Sequence, residues 1–310
     1  MIWGWITIRK YRELIGHVLH ICDIMMDDNK DPEHQDFLRH KKEFELFYSK
    51  VSKYTVFENS RIVDIGASWG MHIGFMVNNG AGHVTGIDIA DYNSYFKDNY
   101  KLKIAQYYEK YGYKLTSNKY DLIRMDAQKT ALKSSSFDIA VSINAFEHIP
   151  NPELALLEMM RILKPGGYAF ISFIPVFFCD EGSHMTEFVT EPWAHLIYSE
   201  EEYIEMLRAA TPGTEYYVNE FKYGINKLPR KYYLDLFDKY NSENGGKKII
   251  DIIKRKLNNN YYKFQIIETE IWEGVGDEKY LLHENFEKVK EKYGIEDLLF
   301  RGMNIVLKKL

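Results

Sequence analysis

The sequence predicts an α/β fold: a doubly wound, mostly parallel sheet with helices on both faces. Three observations carry that expectation. Short apolar runs near residues 61, 83, 120, 137 and 168 alternate with stretches of helical spacing, the alternation that parallel crossovers require. The first run, Arg61-Ile62-Val63-Asp64-Ile65, ends in a loop punctuated by Gly66 and Gly70 and passes into a helical pattern. Strand, glycine loop and helix in that order hold nucleotide-like ligands in open α/β sheets. Asp88 and Asp126 fall at the C-terminal ends of later runs, the edge where such sheets bind ligands.

The chain has 310 residues, of which 45% are hydrophobic. That suffices for one large domain with additions or for two small ones. A formal net charge of −5 argues against a general nucleic-acid binder. Cys22 and Cys179 are the only cysteines, too few for a zinc site or a disulfide framework, and no metal site is expected. No apolar run reaches membrane-spanning length. Met1 to Ile8 is apolar, but its charges follow it rather than precede it, unlike a signal peptide. A cytoplasmic protein is expected.

In chain order, residues 9–26 show helical spacing of Leu14, Val18, Leu19, Ile21 and Met25, broken by Asp27 to Pro32. A second helix over about 33–52 carries Phe37, Phe44, Leu46, Phe47 and Val51. Residues 1–54 are therefore expected to form an N-terminal helical arm, either covering a site or packing on the sheet edge. After the glycine loop, Ile73, Phe75, Met76 and Val77 mark a helix that stops at Asn79-Gly80. His83 to Ile89 is a second strand, 92–114 a tyrosine-rich helical crossover, and Tyr120 to Met125 a third strand. Phe137 to Ile143 is a fourth. Pro152 starts a helix, with Leu154, Leu157, Met160, Ile162 and Leu163 expected on its apolar face and Lys164-Pro165-Gly166-Gly167 at its end. Tyr168 to Ile174 is a fifth strand.

The loop is neither a dinucleotide fingerprint nor a Walker loop. Ser68 and Met71 occupy the third and sixth positions where glycines are needed, and no Gly-Lys-Ser/Thr follows. Instead Asp64 sits two residues before Gly66. A carboxylate there repels a pyrophosphate and can seat an amino or sulfonium group. Gly66 lets the chain turn and a ligand approach the backbone. The plainer alternative is a tight turn between strand and helix. Asp88 follows Gly70 at close to the ~20-residue offset of an acid that grips a ribose, where a carboxylate accepts hydrogen bonds from vicinal hydroxyls. Asp126 can accept from an exocyclic adenine amine while the Ala127 N–H donates to a ring nitrogen.

Val-Asp-Ile-Gly-Ala-Ser-Trp-Gly, Gly-Ile-Asp-Ile, Met-Asp-Ala-Gln, Phe-Asp-Ile-Ala-Val-Ser, Phe-Glu-His-Ile-Pro and Leu-Lys-Pro-Gly-Gly occur in that order over about 61–174. This ordered set resembles the class I S-adenosylmethionine-dependent methyltransferases, in the small-molecule branch that includes quinone-biosynthesis enzymes. The resemblance implies a Rossmann-like, seven-stranded sheet with S-adenosyl-L-methionine as cofactor and S-adenosyl-L-homocysteine as product. It places Asp64, Gly66, Ala67, Ser68 and Gly70 on the methionine-binding loop. Asp88 becomes the ribose acid with Ile89 beside it, Asp126 and Ala127 the adenine contact, and Asn144 the point where the fourth strand meets the cofactor. Ser68 departs from the family, which usually has glycine there. Trp69 is bulky and is expected to point outward.

Beyond residue 174 the motifs thin. Residues 175–197 read as a loop reaching over the acceptor, so that 176–260 supplies acceptor-site loops and a helical lid to a methyltransferase domain over 55–310. His184 and His195, with His148, are candidate general bases, because imidazole titrates near neutrality. Glu147 is a further candidate, or a cap for the following helix. Ser199 begins a helix with Glu200, Glu201 and Glu202 in its first turn. A short strand is expected over about 215–220. Lys227 to Lys256 holds nine basic residues against four acidic ones. That excess suits a phosphorylated or nucleotide-linked acceptor, or simply a solvated face of an amphipathic helix through Ile249, Ile250, Ile252, Ile253 and Leu257. Gly245-Gly246 marks a hinge. Phe264 to Trp272 and Met303 to Leu307 are expected as a closing antiparallel pair, with a helix over 279–293 between them.

The expected activity is methyl transfer to an O or N atom of a small polar acceptor, such as a sugar, with no nucleic acid and no membrane span. The alternatives are a non-catalytic S-adenosylmethionine-binding module and, against Ser68 and Met71, an NAD-dependent oxidoreductase. The sequence does not specify an oligomeric state.

Overall fold

The computed structural model describes residues 32–97, 99–241 and 263–310. The expected helix over 9–26 with Cys22, the Gly245-Gly246 hinge, Lys247, Lys248 and the amphipathic run through Leu257 lie outside the described residues. The chain divides into two compact units, residues 1–49 and 50–310. The described part of the first is the helix that begins at Pro32 and runs to Val51, its last two residues belonging to the second unit. Within it Phe44 stacks on Tyr48 at 5.7 Å, a pair four residues apart on one helix face.

The second unit is built on a seven-stranded sheet: β1 Arg61–Ile65, β2 His83–Asp88, β3 Tyr120–Arg124, β4 Phe137–Ile143, β5 Leu163–Phe173, β6 Phe264–Glu273 and β7 Phe300–Lys309. The strand order is β3-β2-β1-β4-β5-β7-β6. The first five strands pair in parallel, and β7 runs antiparallel to both β5 and β6. The fold is therefore the expected Rossmann-like sheet closed by an antiparallel strand pair. β1 and β4 are buried almost end to end, because helices cover both faces of a parallel sheet and its central strands must be apolar throughout. Ser142 Oγ donates to Ile65 O at 2.9 Å, tying these central strands together at their C-terminal ends.

Several elements differ from the sequence reading. The crossover over 92–114 is two helices, Tyr92–Tyr95 and Tyr100–Lys110. Asp91 caps the first by accepting from Ser94 N–H at 3.1 Å. In the helix Pro152–Ile162 the buried face is Ala155, Leu156, Met159, Met160 and Ile162, while Leu154 is exposed and Leu157 only partly buried. The sheet lies along the stripe that includes the small Ala155, and a reading of large side chains alone shifts the face. Lys164 to Gly167 does not end that helix but belongs to β5, as an irregularity between the Phe137–Leu163 and Ile139–Tyr168 pairs. The strand expected over 215–220 is instead the helix Tyr216–Asn219, continued by a π-turn over Glu220–Gly224. There Val218 and Phe221, three residues apart, are buried, a helical spacing that alternation does not provide. The stretch 279–293 is a 3-10 turn, Glu278–Leu282, followed by the helix Glu284–Lys290.

The C-terminal half builds a second core from Phe177, Trp193, Tyr203, Leu207, Phe221 and Phe286. Ser199 and Glu202 form a full capping box at the start of its helix Glu200–Ala210. No helix of the described residues is long and apolar enough to cross a membrane.

Candidate functional site

The C-terminal ends of β1, β2, β3 and β4 gather the predicted residues along one edge. The turn after β1 folds back on β2, with Gly66 N–H and Ala67 N–H both donating to Ile87 O at 2.9 and 3.0 Å. Gly66 takes φ +75°, where an L side chain is strained. Its missing Cβ, however, faces protein: a methyl there would lie 2.3 Å from Ala145 Cβ. Gly66 thus allows the loop to pack on the turn after β4, rather than clearing room for a ligand as expected from the sequence. Gly70, at φ +99°, makes the same kind of close contact with Ile104.

Ser68 also sits in the left-handed region, at φ +50°, a conformation that costs a non-glycine residue about 1–2 kcal/mol. Two bonds hold it there. Its N–H donates to Asp88 Oδ2 at 2.8 Å, and its Oγ meets the Tyr92 hydroxyl at 3.0 Å. The second bond is open only to a side chain, so the departure from glycine is itself fastened. Trp69 is half-buried and packs edge-on against Tyr107 at 4.7 Å, on the helix Tyr100–Lys110.

Asp64 is buried under this loop and its Oδ2 has no hydrogen-bond partner. Burial pushes its carboxyl up to about 6; His72 works against the rise and the Asp88 carboxylate adds to it. A buried carboxylate without a full set of donors is costly, and a cation seated against it would relieve that cost. Asp88 Oδ1 accepts from Ala90 N–H at 2.9 Å, so each of its oxygens holds one loop amide and keeps further lone-pair capacity. Ile89 beside it is exposed. Asp126 accepts from Gln128 N–H at 2.8 Å, a local turn that leaves the carboxylate exposed. Ala127 is partly buried against the main core. Asn144 ends β4 in the left-handed region, at φ +50°, with its N–H donating to Ser172 O at 2.7 Å.

The donor set fits S-adenosylmethionine. It offers a buried acid for a cation, an acid with spare lone pairs for a ribose, and an exposed apolar side chain beside it for a ring face. Among the described residues no three His, Cys, Asp or Glu side chains group to hold a metal ion.

Of the three candidate histidines, two come together. The His148 and His184 rings pack edge to face at 4.8 Å. His148 Nδ1 lies 2.6 Å from Gly224 O and His184 Nε2 lies 2.8 Å from Pro175 O. A carbonyl only accepts, so each of those nitrogens carries the proton and the other ring nitrogen carries the lone pair. Burial, reinforced by His148, brings the His184 imidazole down to about 3 against the pull of Pro175 O. His195 stands apart, buried between Phe177 and Tyr203 with Nε2 donating to Phe177 O at 2.6 Å. Burial brings it down to about 4. Glu147 is buried behind the same turn as His148. The cap of the following helix is Asn151, whose side chain accepts from Leu154 N–H at 3.2 Å.

The basic residues of the 227–256 stretch are ion-paired where they are described, mostly with acids elsewhere in the chain. Lys227 pairs with Glu200 at 3.3 Å, Arg230 with Glu273 at 2.8 Å, Lys231 with Asp235 at 2.6 Å and Lys239 with Glu153 at 2.5 Å. Sequence reasoning missed Tyr92 and Asn226 entirely. Tyr92 touches the loop through Ser68, and Asn226 hydrogen-bonds to the turn after β4.

Residues 63–171 match the family model described as a methyltransferase domain. The chain is 33% identical over 115 residues to the ubiquinone biosynthesis O-methyltransferase of Maricaulis maris, covering 36% of this chain and 39% of that protein. It is 30% identical over 115 residues to the sterol 4-C-methyltransferase strm-1 of Caenorhabditis elegans, covering 37% and 31%. It is 29% identical over 118 residues to the arsenite methyltransferase of Mus musculus, covering 37% and 31%. The chain thus spans less than half the length of these curated relatives, and their names put the methyl group on quite different acceptors.

Proposed function

This chain carries a class I S-adenosylmethionine-dependent methyltransferase domain over residues 63–171, and from that premise we propose that it transfers a methyl group to an O or N atom of a small polar acceptor. The observation that carries the reading is the convergence of Asp64, Asp88, Asp126 and Asn144 on one sheet edge around a strained loop that Asp88 itself holds. Bound S-adenosylmethionine supplies a methyl group already activated by its sulfonium. The protein's work is then to align the acceptor, which contributes on the order of 7–11 kcal/mol, and to take its proton. His148 is the proposed base, because Gly224 O leaves its Nε2 with a lone pair. His184 stays neutral beside it, its imidazole being brought down to about 3 by burial. His195 and Glu147 are assigned to the framework. A sugar acceptor remains compatible with these groups. The ion pairs of Lys227, Arg230, Lys231 and Lys239 speak against their reading a phosphate.

The test is release of S-adenosylhomocysteine from S-adenosylmethionine with panels of small hydroxylated and amino compounds. With an accepted oxygen substrate, His148→Gln lowers turnover by about 10²–10⁴-fold, the usual size of a lost general base, while His195→Gln leaves turnover intact. Undiminished turnover in His148→Gln would remove the base assignment.

The buried acid adds a pH signature. In the ligand-free protein Asp64 is half-protonated near pH 6, whereas a cationic ligand favours its ionised form. Binding therefore expels a proton below pH 6, and affinity falls as pH drops through that range, by at most about tenfold per unit. Above pH 6 it is flat. Calorimetry of S-adenosylmethionine in buffers of different ionisation heat reads the proton directly. Asp64→Asn binds more weakly at neutral pH and loses the slope. The same variant stabilises the ligand-free fold at pH 7, where the native state must carry the buried charge, and not at pH 4. An unchanged slope in Asp64→Asn would assign the proton elsewhere.

A further inference from the structure

The turn after β4, which bears Asn144 at its start and His148, is braced by a segment more than 50 residues beyond the family-matched region. Residues 224–226 lie along residues 146–149 and join them by four hydrogen bonds. His148 Nδ1–H donates to Gly224 O at 2.6 Å, and Asn226 N–H donates to Glu147 O at 2.9 Å. The Asn226 amide nitrogen Nδ2 then donates to both Phe146 O at 2.7 Å and Ile149 O at 2.9 Å.

The other end of the same side chain is equally committed. Asn226 Oδ1 accepts from the Tyr233 hydroxyl at 2.9 Å and from Leu228 N–H at 3.3 Å. The orientation of the amide is forced by its surroundings, since two carbonyls can only accept and a backbone N–H can only donate. Both donors and both acceptor sites of one side chain are thus used. Tyr233 is itself buried, packed on Phe173 at 4.6 Å at the end of β5. The brace therefore runs from the sheet through Tyr233 and Asn226 to the turn that carries the proposed base.

We infer that Asn226 is the positioning residue for this turn, holding Gly224 O against His148 Nδ1 so that the imidazole is kept in a single tautomer with its Nε2 lone pair available. The assignment rests on the methyl-transfer reading above for its purpose, and on the hydrogen bonds alone for its mechanism. Asn226 touches no reacting atom; it acts through His148. Without it the Phe146 and Ile149 carbonyls lose their donor, the turn relaxes away from residues 224–226, and the His148 ring is free to carry its proton on Nε2, where it blocks proton uptake.

The full chain is examined as wild type, Asn226→Ala and Asn226→Asp, with two readouts. The first is the ¹⁵N imidazole spectrum of His148, assigned by its loss in His148→Gln. The second is calorimetric binding of S-adenosylhomocysteine. His148 is expected wholly as the Nδ1–H tautomer in wild type and mainly as Nε2–H in both variants, which still bind S-adenosylhomocysteine. Asn226→Asp keeps the side-chain shape and the bonds to Tyr233 and Leu228 while removing both donors, so it decides the question if the alanine variant does not fold. A His148 that stays wholly Nδ1–H in either folded variant overturns the inference. A folded wild type that binds no S-adenosylhomocysteine overturns the cofactor reading instead, and leaves the tautomer result to stand or fall by itself.

Discussion

Replacing Asp88 by alanine is expected to lower the affinity for S-adenosylhomocysteine about 100-fold or more, the largest effect on cofactor binding of any single change in this site. Two losses combine. Each oxygen of Asp88 has lone-pair capacity beyond the one loop amide that it holds, and a ribose offers two vicinal hydroxyls to it. Hydrogen bonds to a charged group are worth about 1.5–3 kcal/mol each, so losing two costs at least ~3 kcal/mol, or about 100-fold. The alanine also releases Ser68 N–H, leaving a left-handed serine fastened only through Tyr92. Asp88→Asn retains one acceptor oxygen and should fall between the two. Calorimetry against a folded, thermally melting variant measures the effect. An alanine variant that binds within a few-fold of wild type would show that Asp88 only fastens the loop.

The largest stability effect is expected at Arg301. This buried residue at the start of β7 donates from Nη1 to Asp180 Oδ1 at 2.6 Å and from Nη2 to Glu181. Asp180, fully buried, also accepts from Gly276 N–H at 2.7 Å, and Arg301 O accepts from Val176 N–H at 2.9 Å. The cluster joins β7, the loop after β5 and the turn after β6. Arg301→Met leaves the Asp180 carboxylate buried without its counter-charge, a change that costs about 3–5 kcal/mol. The double variant Arg301→Met with Asp180→Leu removes the stranded charge and should recover part of that loss. Denaturant unfolding at neutral pH measures both. A loss under about 1 kcal/mol in Arg301→Met would mean that the pair behaves like a surface ion pair and does not hold the two halves of the unit together. Cys179 beside it has its thiol pushed up to about 12 by burial, which holds it in the neutral form at physiological pH.

The legible part of this protein is the part whose signals are local. Asp64, Gly66 and Ser68 lie within five residues, and the period of apolar runs marks strands and helices one at a time. Asp88 was found because the distance between a glycine loop and its ribose acid is set by one helix and one strand. The misread elements failed for local reasons too. Small residues such as Ala155 carry little apolar weight yet mark the packed face, and Tyr216 to Glu220 has both strand and helix character until Val218 and Phe221 are seen buried on one side. The three histidines were equal candidates in the sequence. Burial and a carbonyl partner for each separated them, leaving His148 beside His184 and His195 in a second core.

By itself, the sequence determined the sheet, the glycine loop after its first strand and the acids at the strand ends, because each is specified by neighbours within a single crossover. The tertiary structure alone decided that Ala145 fills the space beside Gly66, that Asn226 braces a turn 80 residues upstream, and that Arg301 neutralises an aspartate 121 residues away. Those partners are chosen by the packing of the whole sheet, and no periodicity in the chain records which distant carbonyl or carboxylate a side chain will meet.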